Sequence, residues 1–288
     1  MTEWQACSPA RYHLGEGARW HEGRLVHVDL LRGDLHRSDP RSDRPPDHVL
    51  ALGVPLGAVA PAAVPGVDWI VAAGDGIALV GAAGPRWLAR PEYRTDRSMR
   101  MNDGVCDSAG RFWAGSMELR ASDGAGSLYR VDPDGSVKRV LDGLTVPNGP
   151  AFGVDGTYMY LADSAHGTIT RYAVDVVTGR LARADPFAEL AAHEGRPDGM
   201  AVDDDGNLWV ALWGGGRIRC YSPDGSVIRD VPVPTPQPSS VAFGDGLVIV
   251  TTARHRLSHP DGLAGAVLVA PTTVTAPPAL AFGRIPRA

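Results

Sequence analysis

The sequence predicts an all-β protein, a six-bladed β-propeller with four short antiparallel strands per blade. Three observations predict it. Helical periodicity is nearly absent along the 288 residues. Short runs rich in Val, Leu, Tyr and Trp, each bounded by Asp-Gly or Pro, follow one another as strands and hairpins do. Those runs recur with a motif at a spacing in the mid-forties, the period of propeller blades.

The units follow in order. The segment of about residues 3–13 (EWQACSPARYH) is expected to pair with a C-terminal strand near Leu280–Arg284 and close the ring, because an open array would expose an edge. The first unit is GEGARWHEGRLVHVDL (15–30) with DLHRSDP as its partner strand. The second, LGAVAPAAVPGVDWIVAA (56–73), overlaps the most apolar stretch, Val54–Ala73, whose Pro55, Pro61, Pro65 and Asp68 exclude a membrane helix. NDGVCDSAGRFWAGSM (102–117) precedes GSLYRVDPDG, and NGPAFGVDGTYMYLADS (148–164) precedes GTITRYAVD. DGMAVDDDGNLWVALW (198–213) precedes GRIRCYSPDG, and SSVAFGDGLVIVTTA (239–253) precedes GAVLVAP. The one helical candidate, Pro186–Glu194 (PFAELAAHE), reads as a helical turn or loop. Six units fill the chain, so residues 1–288 read as a single domain.

Composition narrows the chemistry. Gly (35) and Pro (24) together exceed average usage yet fall short of a low-complexity chain, so they mark turns. A net charge of -5 without a Lys/Arg run argues against a nucleic-acid partner. Lys138 is the only lysine and lies in a hairpin-like stretch, which argues against Schiff-base chemistry. Three cysteines, Cys7, Cys106 and Cys220, form no CxxC and suggest a reduced compartment. The first residues lack the basic start and apolar run of a signal peptide. A cytoplasmic location is therefore expected, with no membrane partner, and nothing in the sequence fixes an oligomeric state.

Innermost propeller strands line a central channel, so equivalent positions of different blades converge there. Those positions are Glu16, Gly57, Asn102, Asn148, Asp198 and Ser240 (or Ser239), spaced 41, 45, 46, 50 and 42 residues apart. Five carry oxygen and two are carboxylates. Such a ring suits a hard divalent cation. Residues and spacing alone favour a structural role over that site, capping strand ends and hydrogen-bonding Gly-rich turns. Other motifs carry less. Asp203-Asp204-Asp205-Gly206 lacks EF-hand spacing and reads as a β-turn. Gly214-Gly215-Gly216 precedes no helix, and Ser164 lacks the glycines of a nucleophile elbow. Trp113 and Trp209 hold equivalent strand positions and read as core.

Taken in order, LGEGARW (14–20), RMNDGVCDSAGRFWAGSM (100–117), VPNGPAFGVDGTYMYLADS (146–164), RPDGMAVDDDGNLWVALWGGGRIRCYSPDG (196–225), SSVAFGDGLVIVTTAR (239–254) and LAGAVLVAP (263–271) resemble the senescence marker protein / gluconolactonase / luciferin-regenerating enzyme (regucalcin-like) family. The resemblance runs from about residue 12 to 283 and is weakest over about 50–95. It implies one divalent metal ion in the channel, held by Glu16, Asn148 and Asp198, with Ca²⁺ the first expectation and Zn²⁺, Mn²⁺, Mg²⁺ or Fe²⁺ the alternatives. It implies sugar contacts from Arg100 and Asn102. An acidic residue after the GxM motif often joins them in the family; Glu118 is the candidate, though the family's acid commonly lies a residue or more further on. GEGA also replaces the family's GEGP. The function implied is a metal-dependent lactonase that opens the lactone ring of a sugar acid, with a small sugar lactone as partner and Asp198 doubling as the base that activates water. Two alternatives keep the same metal site: a phosphotriesterase-like hydrolase, and a non-enzymatic calcium-binding or interaction propeller.

Overall fold

The computed structural model describes residues 2–42, 44–93 and 95–283. After β1 (Gln5–Ala6) the chain lays down six antiparallel sheets in turn. The first holds β2 (Gly15–His21), β3 (Arg24–Asp29), β4 (Asp34–Ser38) and β5 (Asp47–Ala51). The second holds β6 (Leu56–Val64), β7 (Val67–Ala73), β8 (Gly76–Gly81) and β9 (Gly84–Ala89). The third holds β10 (Met99–Cys106), β11 (Phe112–Glu118), β12 (Gly126–Val131) and β13 (Val137–Leu144). The fourth holds β14 (Pro147–Phe152), β15 (Tyr158–Asp163), β16 (Thr168–Val174) and β17 (Leu181–Glu189). The fifth holds β18 (Arg196–Val202), β19 (Leu208–Trp213), β20 (Arg217–Tyr221) and β21 (Val227–Pro232). The sixth holds β22 (Pro238–Gly244), β23 (Leu247–Thr252) and β24 (Val267–Pro271), with β1 as its outer strand. This is a six-bladed β-propeller with four antiparallel strands in each blade.

Alternation along each strand explains why the runs are apolar throughout. Successive side chains point to opposite faces of a sheet, and here both faces are covered by neighbouring blades. Trp69, Val71 and Ala73 of β7 face blade 1, while Ile70 and Ala72 face blade 3. Leu208, Val210 and Leu212 of β19 face blade 4, while Trp209 and Ala211 face blade 6. The core is therefore divided into six clusters, one for each interface between blades. Trp113 and Trp209 are core residues, as their equivalence suggests, at 0% and 3% exposure. Each buried indole N–H finds a carboxylate: Trp113 Nε1 donates to Asp107 Oδ2 and Trp209 Nε1 to Asp203 Oδ2, both at 2.9 Å. Asp203 also accepts from the Asn207 amide, which makes the Asp-rich stretch a turn that braces the core.

Two expectations need correction. β1 does pair within the last blade, but with β24, placing Gln5 opposite Val269 and Ala6 opposite Leu268. Leu280–Phe282 instead crosses to the second blade, where Phe282 bridges Ala62 and is buried; Arg284 lies outside the described residues. Pro277 and Pro278 have no N–H to donate and stop any ladder from running on past β24. The second correction concerns Pro186–Glu194. Its first four residues extend β17, and only Ala192–Glu194 forms a 3₁₀ turn. Phe187 decides this, because its ring packs between Tyr160 and Tyr221 and anchors an edge strand.

Candidate metal centre

Each innermost strand carries a register shift at the motif position. The shift falls between Glu16 and Arg19, Leu56 and Ala58, Met101 and Gly104, Asn148 and Ala151, Pro197 and Met200, and Pro238 and Ser240. A bulge re-aims a side chain without ending the strand. Here it bends each inner strand where it meets its neighbour. Close approach there requires glycine. A Cβ on Gly57 would lie 2.5 Å from the Asn102 carbonyl oxygen, and one on Gly199 would lie 2.5 Å from Ser240 Cβ. The motif positions thus meet around the channel: the Ala18 amide donates to Ser240 Oγ at 2.9 Å, and Asn102 Nδ2 donates to Asn148 Oδ1 at 2.6 Å.

A directed chain of hydrogen bonds fixes the amides. Arg100 donates to Asn102 Oδ1, and Asn102 Nδ2 donates to Asn148 Oδ1 and to the Pro147 carbonyl. Asn148 Nδ2 donates to Ser164 Oγ at 2.9 Å, and the Ser164 hydroxyl donates to the Pro197 carbonyl. The Asn148 amide oxygen accepts from Asn102 and keeps a second lone pair. Ser164 therefore orients Asn148, a role its sequence context did not announce.

Glu16 and Asp198 are buried beside this chain, at 7% and 4% exposure. Burial raises the Glu16 carboxyl well above the ordinary carboxylate range; the charges of Asp198 and Asp103 add to this, while Arg100 and the Gly17 amide oppose it. Asp198 is raised for the same reasons, burial first and then Asp103, against Arg100 and the Gly199 amide. Arg100 is lowered to about 10 by burial, which outweighs the attraction of Glu16 and Asp198. Asp198 Oδ1 is buried without a hydrogen-bond partner among the described residues. A buried carboxylate oxygen with no donor is costly unless a cation meets it. Two buried carboxylates and an amide oxygen with one lone pair left are a donor set that suits a hard divalent ion. Among the described residues no three His, Cys, Asp or Glu side chains cluster as metal ligands.

The expected residues are not all brought together. Glu16, Asn148, Asp198, Arg100 and Asn102 share the channel. Glu118 stands apart: the register puts it opposite Met99, whereas Arg100 faces Met117. Adjacent positions point to opposite faces of the sheet, and no hydrogen bond joins Glu118 to Arg100 or Asn102 among the described residues. Its Oε2 is buried without a hydrogen-bond partner among the described residues. The sequence did not single out Asp103, Arg19, His13 or His255. The first two meet within the channel at 3.3 Å. His13 Nε2 and His255 Nδ1 lie 3.0 Å apart, joining the residues that precede β2 to those that follow β23. His255 is lowered by burial and then by the positive charges of Arg256, His13 and Arg100. The signals were present but faint: Asp103 adjoins a motif asparagine, and Arg19 lies three residues beyond Glu16.

Comparison with known proteins places this geometry. A family model described as the SMP-30/Gluconolactonase/LRE-like region matches residues 14–254. The chain is 37% identical to pentonolactonase XacC of Haloferax volcanii over 262 residues, covering 88% of this chain and 84% of the relative. It is 36% identical to a 6-deoxy-6-sulfogluconolactonase of Pseudomonas putida over 80% of this chain and 79% of the relative. A solved calcium-binding regucalcin of Agrobacterium tumefaciens superposes with a TM-score of 0.88 at 27% identity, over 99% of this chain and 98% of that one.

Proposed function

The chain belongs to the SMP-30/gluconolactonase/LRE-like family, and on that premise we propose that it is a hydrolase that opens the lactone ring of a sugar acid. The observation that carries this reading is the buried channel ring: Glu16, Asn148 and Asp198, with Asp198 Oδ1 unpartnered, beside the Arg100–Asn102 pair. Glu16, Asn148 and Asp198 would hold one divalent ion, Ca²⁺ by the likeness to a calcium-binding regucalcin. When bound, such an ion supplies Lewis-acid polarisation of a lactone carbonyl.

The chain's own residues do the rest. Arg100 and Asn102 form a hydrogen-bonded pair; the remaining Arg100 donors and the Asn102 amide oxygen orient sugar hydroxyls, and misplacement by about 1 Å can cost about 100-fold. Asp198 takes the proton of the attacking water as its oxygen bonds to the carbonyl carbon. Burial makes Asp198 more basic than a free carboxylate, and a bound cation would oppose that rise. As the ring C–O bond breaks, the same proton passes to the departing ring oxygen. One water is consumed and one hydroxy acid is released. Relatives named for pentono- and sulfogluconolactones support a sugar lactone as the substrate class.

The test is acid release from a panel of aldono-lactones by metal-stripped protein with divalent ions restored one at a time. Turnover is expected with at least one ion. Asp198→Asn is expected to lower kcat by about 10²–10⁴-fold, the range for a general base. Ion-independent turnover, or full activity in that variant, would overturn the reading.

A further inference from the structure

We infer that Arg19 and Asp103 are a positioning pair that spans the channel and holds the Glu16/Asn148/Asp198 ring in the arrangement on which its affinity for a divalent cation depends. The inference rests on the reading of that ring as a metal centre.

The contacts come first. Arg19 lies on β2 of the first blade, immediately past the bulge that begins at Glu16. Its NH2 lies 3.3 Å from Asp103 Oδ1 and donates to the Gly104 carbonyl at 2.8 Å; its NH1 donates to the Ala18 carbonyl at 2.9 Å. Asp103 lies in the bulge of β10, in the third blade. Its Oδ2 accepts the Gly149 amide of the fourth blade at 3.0 Å, and its Oδ1 accepts the Gly104 amide at 2.7 Å. One guanidinium and one carboxylate thus connect blades 1, 3 and 4, with Gly149 directly after Asn148 and Arg19 three residues beyond Glu16. The second blade does not stand in the way, because its motif residue is Gly57.

Stability does not explain the pair. Both side chains are nearly buried, at 10% and 5% exposure. A buried ion pair is often no more stabilising than packed apolar residues, because desolvation offsets the attraction. This pair also adds a third carboxylate whose charge acts on both Glu16 and Asp198. A cross-channel connection of fixed geometry accounts for that cost, since a guanidinium fork reads direction as well as charge.

Charge and positioning make opposite predictions for one variant. Removing the Arg19 cation leaves Asp103 uncompensated; through electrostatics alone, a nearby divalent ion would then bind more tightly. If the pair positions the ring, the ion binds more weakly. Calorimetric titration of Ca²⁺ and Mn²⁺ into metal-stripped full-length protein separates the two. Arg19→Met and Asp103→Asn are each expected to raise Kd by about 10–100-fold, as for other residues that orient metal ligands. The double variant is expected to be little worse than either single one, because the same connection is lost. Arg19→Met with wild-type or tighter affinity overturns the inference. Where that variant fails to fold, Arg19→Lys keeps the charge and loses the fork; a several-fold weaker Kd supports positioning, and an unchanged Kd overturns it. Wild-type protein that binds neither ion overturns the metal reading and the inference with it.

Discussion

Burial acts in opposite directions on the two kinds of titrating side chain in this protein. His27 is fully buried, stacks on His36 and meets Tyr12 edge-on, and neither of its ring nitrogens has a hydrogen-bond partner among the described residues. Burial, with a smaller contribution from His36, lowers it from 6.5 to about 3. The unfolded chain therefore takes up a proton below about pH 6.5 that the folded chain refuses, so stability falls as pH drops from there toward about 3. At pH 5 the loss is about 2 kcal/mol, at about 1.4 kcal/mol per pH unit. Urea unfolding at pH 7 and pH 5 should show His27→Leu losing about 2 kcal/mol less between the two than wild type; equal losses would count against a neutral buried imidazole. None of this was legible in sequence, where His27 is one polar residue in an apolar run. Glu16, Asn148 and Asp198 were legible because the repeat puts each at the same place in its unit.

At the scale of the strand, the bulge is the device that matters. Hydrophobic runs and Asp-Gly turns placed the ends of the second strands of the blades to within about a residue, because a strand covered on both faces must be apolar throughout. The irregularity at the start of each inner strand has no such signature; it is visible only as a skipped pairing, as between Pro197 and Met200. The same skip lets blades close in at Gly199. Gly199→Ala would force a methyl group to 2.5 Å from Ser240 Cβ and 2.8 Å from the Ser239 carbonyl. Such overpacking is expected to lower unfolding stability by about 1–3 kcal/mol in denaturant titration. A neutral result would mean that the inner strands are less tightly apposed than they stand here. Glu118 shows the opposite limit: reading along one strand cannot tell which face a residue takes, and the register with Met99 decides it.

For the whole molecule, ring closure and the buried charge of the channel govern behaviour. β1 contributes the outer strand of the last blade, the Cys7 amide bonds the Val267 carbonyl, and the Trp4 indole donates to the Pro232 carbonyl. Deleting residues 2–8 is expected to cost about 2–4 kcal/mol, at roughly 1 kcal/mol per hydrogen bond lost, and to expose the β24 edge to self-association, seen as light scattering. Unchanged stability in the truncated chain would show that closure does not depend on this strand. The raised carboxyls of Glu16 and Asp198 set a second trend. A carboxyl raised in the fold favours folding while protonated, so its contribution is present below the ordinary carboxylate range and lost as pH climbs through the raised value. Relative to a Glu16→Gln/Asp198→Asn variant, which keeps the His27 contribution, metal-stripped protein should therefore lose thermal stability from about pH 5 upward, and saturating Ca²⁺ should restore it, by about 2.7 kcal/mol at 100 times Kd. A Glu16→Gln/Asp198→Asn variant should show neither effect. A melting temperature insensitive to Ca²⁺ at pH 8 would sink this prediction.

The sequence by itself determined the number of blades and the order of their strands, and its repeat marked Glu16, Asn102, Asn148 and Asp198 as equivalent positions. Hydrophobic alternation, turn residues and repeat spacing are local properties, and each is written in neighbouring residues. Only the tertiary structure decided how those residues meet. It turned the C-terminal segment across to the second blade, set Glu118 on the face away from Arg100, and joined Arg19 to Asp103 across three blades. These outcomes depend on bulges and on contacts between residues far apart in the chain, for which no local pattern is required. The physical reason is that periodicity fixes which face a side chain takes only while the register is regular, and around this channel every inner strand breaks its register at the motif position.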